Sequence, residues 1–380
     1  MNILTYTDAH EAFRQRVRNF FKAEVAPHAD AWEKKGIVPR EIWRRMGKEG
    51  FLCLGVPKAY GGPGLDFLYA LIVINELVHT CHFGLLAPLH SDVVVPYITA
   101  FASENLKKRY LPGCVKGDII TALAMTEPGA GSDLTSIATT AKEDGDEVIL
   151  NGQKTFISCG INCGLVIVAA RDPSVKDSYS GLDLYLVEAS APGFEKGNCL
   201  NKMGWHSQDT AELFFNDCRV PLSNRLGTKG SGFMMLMNKL QQERLVCAVS
   251  AQTAAECALE MTIDYCRKNT VGGRPLVKFQ ENQHRIVDMS TEVKLGRTFV
   301  DKLVAEHMEG KAVVAEVSMA KAWITEMAVR VAEGCMDLYG TNGNLEELRI
   351  GRFWRDLRVM AIFAGTNEIM RNIAAKFMGL

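Results

Sequence analysis

The chain of 380 residues is long enough for two or three structural units that each bury a core. Hydrophobic residues make up 47% and charged residues 23%, which is ordinary for a globular protein, and the formal net charge is −1. This charge gives no support to a nucleic-acid-binding or membrane-surface role, and no apolar run is long enough for a membrane span.

The N-terminus and the cysteines give no sign of export or of a metal. Met1–Leu4 begins neither a signal h-region nor an Arg-rich transit segment. The eleven cysteines are scattered, and the pair Cys159 and Cys163 is not followed by a second pair. We therefore expect a cytoplasmic protein without a zinc site.

The first stretch, about residues 1–120, has a helical pattern. Apolar residues recur at helical spacing from Phe13 to Val25, and helical patterning resumes over 68–79 and 93–106. The glycine-rich segment Tyr60–Gly64 separates these parts as a loop. We expect an N-terminal helical domain here.

The middle stretch, about residues 121–225, changes to a strand pattern. Asn151-Gly152 between Val148–Leu150 and Thr155–Ile157 is typical of a hairpin turn. Further strands are predicted over 165–169, 184–187 and 213–215. Their short spacing predicts a compact antiparallel sheet or barrel.

The last stretch, about residues 226–380, returns to long helices. Apolar residues keep the helical period from Ile286 to Leu303 and from Ile369 to Phe377, which indicates a bundle. The predicted fold class is α+β, mainly α. Helices, then strands, then helices argue against a Rossmann-type enzyme, in which strands and helices alternate throughout.

The loop Ala124–Asp133 is the first candidate binding segment. Its glycines permit close approach of a ligand to the backbone, and the hydroxyls of Thr126 and Ser132 can donate to it. By itself the segment is more often an ordinary turn, because its glycines do not open a helix as a dinucleotide fingerprint would.

The second candidate is the strand within Gly152–Gly160. Alternation predicts that Phe156 and Ser158 share one face, which suits a flat heteroaromatic ring with a polar edge. An ordinary half-buried strand explains the same residues.

The third candidate is Phe363–Ile369, in which Gly365 precedes Thr366. Thr366 is a plausible N-cap of the last helix, and free N–H groups at a helix start bind anions or carbonyl oxygens. Alone, the segment is only a cap.

Together these three segments resemble the acyl-CoA dehydrogenase family over essentially the whole chain. Further matching motifs are Lys202–Gly204, Asp217–Pro221, Phe279-Gln280 and Leu338–Gly343. The resemblance implies an N-terminal helical domain, a β domain and a C-terminal four-helix bundle in a homotetramer. It also implies FAD between the β domain and the bundle, an acyl-CoA substrate, and an electron-transferring flavoprotein as electron acceptor.

The resemblance assigns roles to two sets of residues. The cofactor set is Leu123, Met125, Thr126, Gly131, Ser132, Phe156, Ser158, Arg274, Gln280, Gly340, Thr366 and Glu368. Its members Met125, Thr126 and Ser158 would contact the flavin ring, with Phe156 packed on it. The substrate set is Ser132, Leu240, Arg244, Ala364 and Gly365.

Some residues depart from the family pattern on the side of the cofactor that a second subunit contacts. Asn269 stands where the family usually has an arginine that contacts the FAD pyrophosphate. Either Arg267 or Arg274 substitutes for it, or the cofactor is held less tightly.

The catalytic base is a separate question. Many family members carry a glutamate before the Gly-Thr of the third segment, where this chain has Ala364. The isovaleryl- and long-chain-type members carry it on the first long C-terminal helix, and Glu243 fits that position. Apolar helical neighbours would raise its pKa toward that of a base active near neutral pH. The alternative is a surface glutamate paired with Lys239 or Arg244.

Asp92 is a charged residue in a helix that lines the acyl pocket in the family, immediately before three valines. It is either an N-cap of that helix or a second catalytic acid. As an acid it would bind a polar substituent or accept a proton from an alicyclic or already unsaturated acyl chain. Two other functions stay open: an enzyme of this fold that works in the reductase direction or does not dehydrogenate, and an oxidase.

Overall fold

The computed structural model describes residues 3–380, and its first part is helical. The helices are α1 (Asp8–Glu24), α2 (Ala29–Lys35), α3 (Arg40–Glu49), α4 (Phe67–Val78), α5 (Val95–Phe101) and α6 (Glu104–Val115). A π-helix, Leu89–Val94, runs directly into α5. Thr7 caps α1, since its side chain accepts from the N–H of His10.

The middle of the chain forms a seven-stranded sheet. Its strands are β1 (Thr121–Ala124), β2 (Thr140–Asp144), β3 (Glu147–Ile157), β4 (Leu165–Arg171), β5 (Leu182–Glu188), β6 (Phe194–Cys199) and β7 (Ala211–Pro221). The order is β1-β4-β2-β3-β7-β6, and β5 pairs with β4. Most pairs are antiparallel as predicted, but β1 and β2 each run parallel to β4.

The predicted hairpin at Asn151-Gly152 is wrong. Strand β3 continues through both residues, and the turn lies between Asp144 and Glu147, which pair across β2 and β3. The side chain of Asn151 bonds to Asp217 of the neighbouring β7 at 2.8 and 3.0 Å. Asn-Gly therefore makes a bulge in the β3–β7 register instead of a turn.

The last part of the chain is helical again and forms a bundle. The helices are α7 (Gly232–Lys268), α8 (Gln280–Met308), α9 (Val314–Tyr339), α10 (Ile350–Leu357) and α11 (Asn367–Phe377). A small hairpin of β8 (Thr270–Val271) and β9 (Arg274–Pro275) joins α7 to α8. The predicted α+β, mainly α fold is confirmed. None of the helices in residues 3–380 is long and apolar enough to cross a bilayer.

Helix α4 connects two hydrophobic cores and contributes Ile74, Leu77 and Val78 to the wall of an apolar cavity. Ile72 and Val73 pack into the core of the N-terminal helices, whereas Leu71 and Ile74 pack into the core of the bundle. A helix that is apolar on all sides is stable only when it is buried on all sides. The cavity between these units is therefore walled by residues that the fold cannot easily move.

Candidate active site

An apolar cavity lies between α4, the π-helix, α7 and the segment before α11. It encloses about 610 Å³ of space, part of it open to solvent. Its lining is Ile74, Leu77, Val78, Phe83, Leu86, Pro88, Leu89, Val93, Trp205, Glu243, Val246, Cys247, Ser250, Met360, Phe363 and Ala364. Within this described lining, Glu243 carries the one carboxylate.

Glu243 has the environment of a base. Its Oε2 atom is covered and has no hydrogen-bond partner in the described part of the chain. Loss of hydration raises the pKa of Glu243 to about 7, although the charges of Arg244 and Lys321 act to lower it. A carboxylate with this pKa is strong enough to take a proton and is still ionised in part at neutral pH.

Ala364 lines the same cavity and lies in a turn with left-handed backbone. Ala364 and Gly365 have φ of 55° and 87°, left-handed values that cost a non-glycine residue about 1–2 kcal/mol. Lys321 holds this turn, since its Nζ donates to the Gly365 carbonyl at 2.7 Å and to Asn367 Oδ1 at 3.0 Å. The N–H of Ala364 donates to no acceptor within residues 3–380.

The other predicted substrate residues do not line this cavity, although three of them are close in the chain to residues that do. Leu240 and Arg244 are buried on α7, one turn before Glu243 and directly after it. Arg244 Nε has no partner among the described residues, and burial lowers the pKa of this guanidinium. Gly365 follows Ala364, and Ser132 lies exposed on the loop after β1.

The first two candidate segments come together beside the end of β3. The N–H of Thr155 donates to the carbonyl of Thr126 at 2.9 Å, which joins the loop to the strand. Phe156 has φ of 56° and is 67% exposed. The predicted strand alternation does not hold here, because a register shift between Lys154 and Ile157 interrupts β3 and Ser158 follows its end.

This arrangement fits a flat aromatic ring. An exposed large aromatic held in a strained backbone conformation is unusual unless it has a use. A Cβ atom added at Gly129 or Gly131 would meet nothing within 4 Å, so the loop backbone is open to a ligand. No group of three His, Cys, Asp or Glu side chains between residues 3 and 380 is placed to hold a metal ion.

A buried ion pair locks the loop to the strand. Lys154 Nζ donates to Glu127 Oε1 at 2.8 Å and to the Met125 carbonyl at 3.0 Å. Glu127 also accepts from the N–H groups of Ala138 and Thr139 at 2.6 and 3.0 Å. Both charged side chains are almost fully buried, so the pair fixes the relative positions of Met125, Thr126 and Phe156.

The loop around Trp205 links these segments to the third one. Gln208 Oε1 accepts from the N–H of Cys159 at 3.0 Å, next to Ser158. Trp205 donates its N–H to Asp356 at 2.7 Å, and its ring meets Phe363 edge-on at 5.4 Å. Thr366 then caps α11, its side chain accepting from the N–H of Ile369. Glu368 lies exposed in the first turn of that helix.

Leu123 lies in β1 opposite Ile167 of β4, whereas Arg274, Gln280 and Gly340 lie at the other end of the bundle. Lys321, which contacts the turn before α11, lies eighteen residues before the end of α9 at Tyr339, a distance of about 27 Å along the helix. Gly340 follows Tyr339, and Asn342 beside it bonds to Tyr265 near the end of α7 at 2.7 Å.

The residues that were candidates to replace the missing arginine at position 269 lie in the same end region. Arg267 is paired with Asp264 at 3.0 Å, whereas the exposed Arg274 packs over the Phe279 ring at 4.9 Å. Gln280 begins α8 directly after that ring. The side chain of Asn269 bonds to the carbonyl of Tyr265 at the end of α7.

Asp92 does not line the cavity that contains Glu243. It faces a second cavity, together with Lys239 and His307. The capping interpretation is wrong, because Asp92 lies inside the π-helix and no side chain caps that helix or α5. The carbonyl of Asp92, and not its carboxylate, receives the bond from Gln242 at 2.6 Å.

Several residues of the site were not predicted from the sequence. Trp205 appears as an isolated aromatic, Phe363 opens the third candidate segment without an assigned role, and the α4 residues of the cavity form an apolar stripe like any core helix. Lys154 was also not predicted as a residue of the site. Strand alternation puts it on the same face as Phe156, but the irregularity in β3 leaves Phe156 exposed and buries Lys154 beside Glu127.

Comparisons with known proteins agree over nearly the whole chain. Family models of the N-terminal, middle and C-terminal domains of acyl-CoA dehydrogenases match residues 7–118, 122–218 and 230–379. The mitochondrial long-chain specific acyl-CoA dehydrogenase of Sus scrofa is 41% identical over 372 residues, which are 98% of this chain and 86% of that protein.

Two solved structures share the whole fold. An acyl-CoA dehydrogenase from Geobacillus kaustophilus has a TM-score of 0.97 and 50% identity, with 99% of both chains covered. A structure described as an electron-transferring flavoprotein of Acidaminococcus fermentans has a TM-score of 0.93 and 31% identity, also with 99% of both chains covered.

We expect the Lys154–Glu127 pair to be sensitive to loss of one partner. Lys154→Met leaves the Glu127 carboxylate buried without its counter-charge, so the free energy of unfolding should fall by about 3–5 kcal/mol. Urea unfolding measures this change. Lys142→Met, at an exposed lysine of β2, is the control. Adding Glu127→Gln to Lys154→Met should recover stability, and an equally unstable double variant would contradict this explanation.

Proposed function

The chain belongs to the acyl-CoA dehydrogenase family, whose members are FAD-dependent oxidoreductases, and we propose that Glu243 takes the α-proton of an acyl-CoA thioester. The product would be an enoyl-CoA. One observation carries the proposal: the single carboxylate in the lining of an apolar cavity shares that lining with Ala364, whose N–H donates to no acceptor within residues 3–380.

The two groups have complementary tasks. When the α-proton moves to Glu243, negative charge develops on the thioester oxygen, and the N–H of Ala364 can donate to that oxygen. The turn formed by Ala364 and Gly365 is already held by Lys321, so this donor needs no rearrangement. Bound FAD would supply the acceptor for the hydride that leaves the β-carbon.

The residues that we propose to hold FAD form two groups. The first contains Met125, Thr126, Phe156, Ser158 and Thr366 beside the active cavity. Support comes from the exposed ring of Phe156 and from the open glycine loop beside it. The second group contains Arg274, Gln280 and Gly340 at the far end of the bundle. We therefore infer that another copy of the chain completes each FAD site.

The cavity favours an uncharged acyl chain. Apart from Glu243, its lining offers hydrocarbon side chains, one thiol, one thioether, one hydroxyl and an indole. Phe83 stacks on Trp205 at 5.8 Å and meets Phe353 edge-on at 5.9 Å, which closes one wall. A terminal carboxylate would be buried here without a partner, at a large cost in free energy. We propose straight or branched aliphatic thioesters as substrates.

We also propose that electrons leave the enzyme through an electron-transferring flavoprotein. The support is the family resemblance and the similarity to the Acidaminococcus fermentans structure, which bears that description. Stopped-flow mixing of reduced enzyme with such a flavoprotein and with oxygen distinguishes this route from an oxidase.

Glu243→Gln should retain FAD and lose reduction by substrate. Gln keeps the size of the side chain but cannot accept the proton, and a general base contributes roughly 10²–10⁴ in rate. The measurement is anaerobic bleaching of the flavin by an acyl-CoA in a stopped-flow instrument. Glu260→Gln, at an exposed glutamate on the same helix, is the matched control.

The pH dependence of the wild-type rate adds a check on this assignment. Because the pKa of Glu243 is raised to about 7, the ionised fraction and the rate should rise with pH and level off above that value. Bleaching of Glu243→Gln at nearly the wild-type rate would show that the base lies elsewhere.

A panel of acyl-CoA thioesters should reveal a preference for uncharged chains. We expect straight and branched thioesters to bleach the flavin and a dicarboxylic thioester to fail, because the lining has no group to pair its charge. Phe83→Leu should shift the preference toward longer or bulkier chains by about 10–200-fold. An alicyclic optimum would revise the substrate class. No bleaching by any saturated thioester would point to a reductase or a non-dehydrogenating protein.

The FAD-loaded protein should be an oligomer, with a homotetramer as the family expectation. Light scattering at micromolar concentrations measures the mass. Arg274→Ala should weaken retention of FAD without changing the residues beside Glu243, because Arg274 lies at the far end of the bundle. A holo-protein that is only monomeric would refute the shared site.

A further inference from the structure

The second cavity lies on the N-terminal side of Glu243 along α7 and encloses about 960 Å³, part of it open to solvent. Its lining comes from α4 and the loop before it, from the π-helix and α5, and from α7 and α8. The apolar part includes Leu65, Phe67, Val95, Pro96 and Met308. The π-helix separates it from the first cavity, since Leu89 and Val93 line the first and Ser91 and Asp92 line the second.

Asp92 faces this cavity without a partner. The residue is 7% exposed, and within residues 3–380 its carboxylate makes neither a hydrogen bond nor an ion pair. Burial alone raises the pKa of Asp92 to about 7. A buried carboxyl group without a partner is costly, so a bound group with a hydrogen-bond donor would relieve that cost.

Lys239 faces the same space and is also unpaired in the described part of the chain. Its Nζ lies 5.5 Å from the centroid of the Phe101 ring, and burial lowers the pKa of Lys239. Lys239 and Asp92 form no ion pair with each other, and burial is the one cause of the raised pKa of Asp92 and of the lowered pKa of Lys239.

The other polar groups of the cavity are already engaged. Asp66 Oδ1 accepts from the N–H of Leu68 at 2.9 Å and faces His10 at 3.3 Å. Ser91 accepts from the N–H of Cys53 at 3.0 Å. His307 meets Gln241 through Nδ1, and burial and the charge of Lys239 lower its pKa. Asp92 and Lys239 therefore remain as the two charges that lack a partner.

We propose that this cavity is a binding site for a small zwitterion, whose ammonium group meets Asp92 and whose carboxylate meets Lys239. A short aliphatic spacer between the two groups would pack on the apolar lining. A simple cation would leave Lys239 unpaired, and a simple anion would leave Asp92 unpaired. The site does not depend on the dehydrogenase chemistry, and its ligand need not be an acyl-CoA.

Calorimetry of the FAD-loaded protein without acyl-CoA tests the proposal with γ-aminobutyrate and ε-aminocaproate as probes. Butylamine and butyrate carry one charge each and should bind at least about tenfold more weakly, since each forms one of the two pairs. Below about pH 7, binding of the zwitterions should weaken as Asp92 gains a proton, although Asp66, Lys239 and His307 face the same space.

Two variants and one control in the same cavity distinguish a specific binding site from nonspecific binding. Asp92→Asn should abolish the preference for the zwitterions over butyrate and remove the dependence on pH around 7. Asp66→Asn is the matched control, since its carboxylate is already engaged and asparagine also caps α4. Lys239→Met should abolish the preference over butylamine. Absence of binding by both zwitterions, or equal binding by Asp92→Asn and wild type, would overturn the proposal.

Discussion

Desolvation of one carboxylate is the constraint around which this protein is organised. The Glu243 carboxylate is shielded from water, which raises its pKa to about 7. Its Oε2 has no hydrogen-bond partner among the described residues to replace the lost water. Such a group persists only if the surrounding structure cannot relax around it. Helix α4 provides this rigidity because it belongs to two cores, and α7 carries Glu243 on a helix of 37 residues that packs against it.

Backbone strain is concentrated at the same place. Phe156, Cys159, Trp205 and Ala364 all have positive φ, and all lie in the segments that meet around the site. These segments are held in place by hydrogen bonds with four buried or partly buried side chains, Lys154, Gln208, Asp356 and Lys321. The pattern is that of a site in which ligand-facing backbone is fixed by buried polar contacts on its other side.

Much of the fold was predictable because it rests on local periodicity. The change from helical to strand spacing and back is visible in single segments, and the family resemblance agrees with the family models that match the chain. The hairpin at Asn151-Gly152 failed because a cross-strand partner, Asp217, decides whether Asn-Gly turns or bulges. That partner is 66 residues away and leaves no local sign.

The candidate active site, like the fold, could be predicted from the sequence only in part. Glu243 could be proposed as the base because a missing glutamate at Ala364 is readable in the sequence. The wall formed by α4, Trp205 and Phe363 was not, since a cavity-lining leucine or phenylalanine has the same pattern as one in a core. Asp92 shows the limit most clearly. Its position in the chain suggested the acyl pocket. In the π-helix, however, Val93 lines the cavity of Glu243, whereas the adjacent Asp92 lines the second cavity.

The π-helix between the two cavities has a consequence for how the protein can change. Leu89 and Val93 form part of one wall, while the intervening Ser91 and Asp92 form part of the other. A partition one element thick cannot be reshaped on one side alone, because a larger side chain displaces the backbone that both spaces share. Selection or engineering that alters chain-length preference through these positions would also alter the second space. Variants that leave it untouched must come from the Phe83–Trp205 stack, because α4 and α7 also line both spaces.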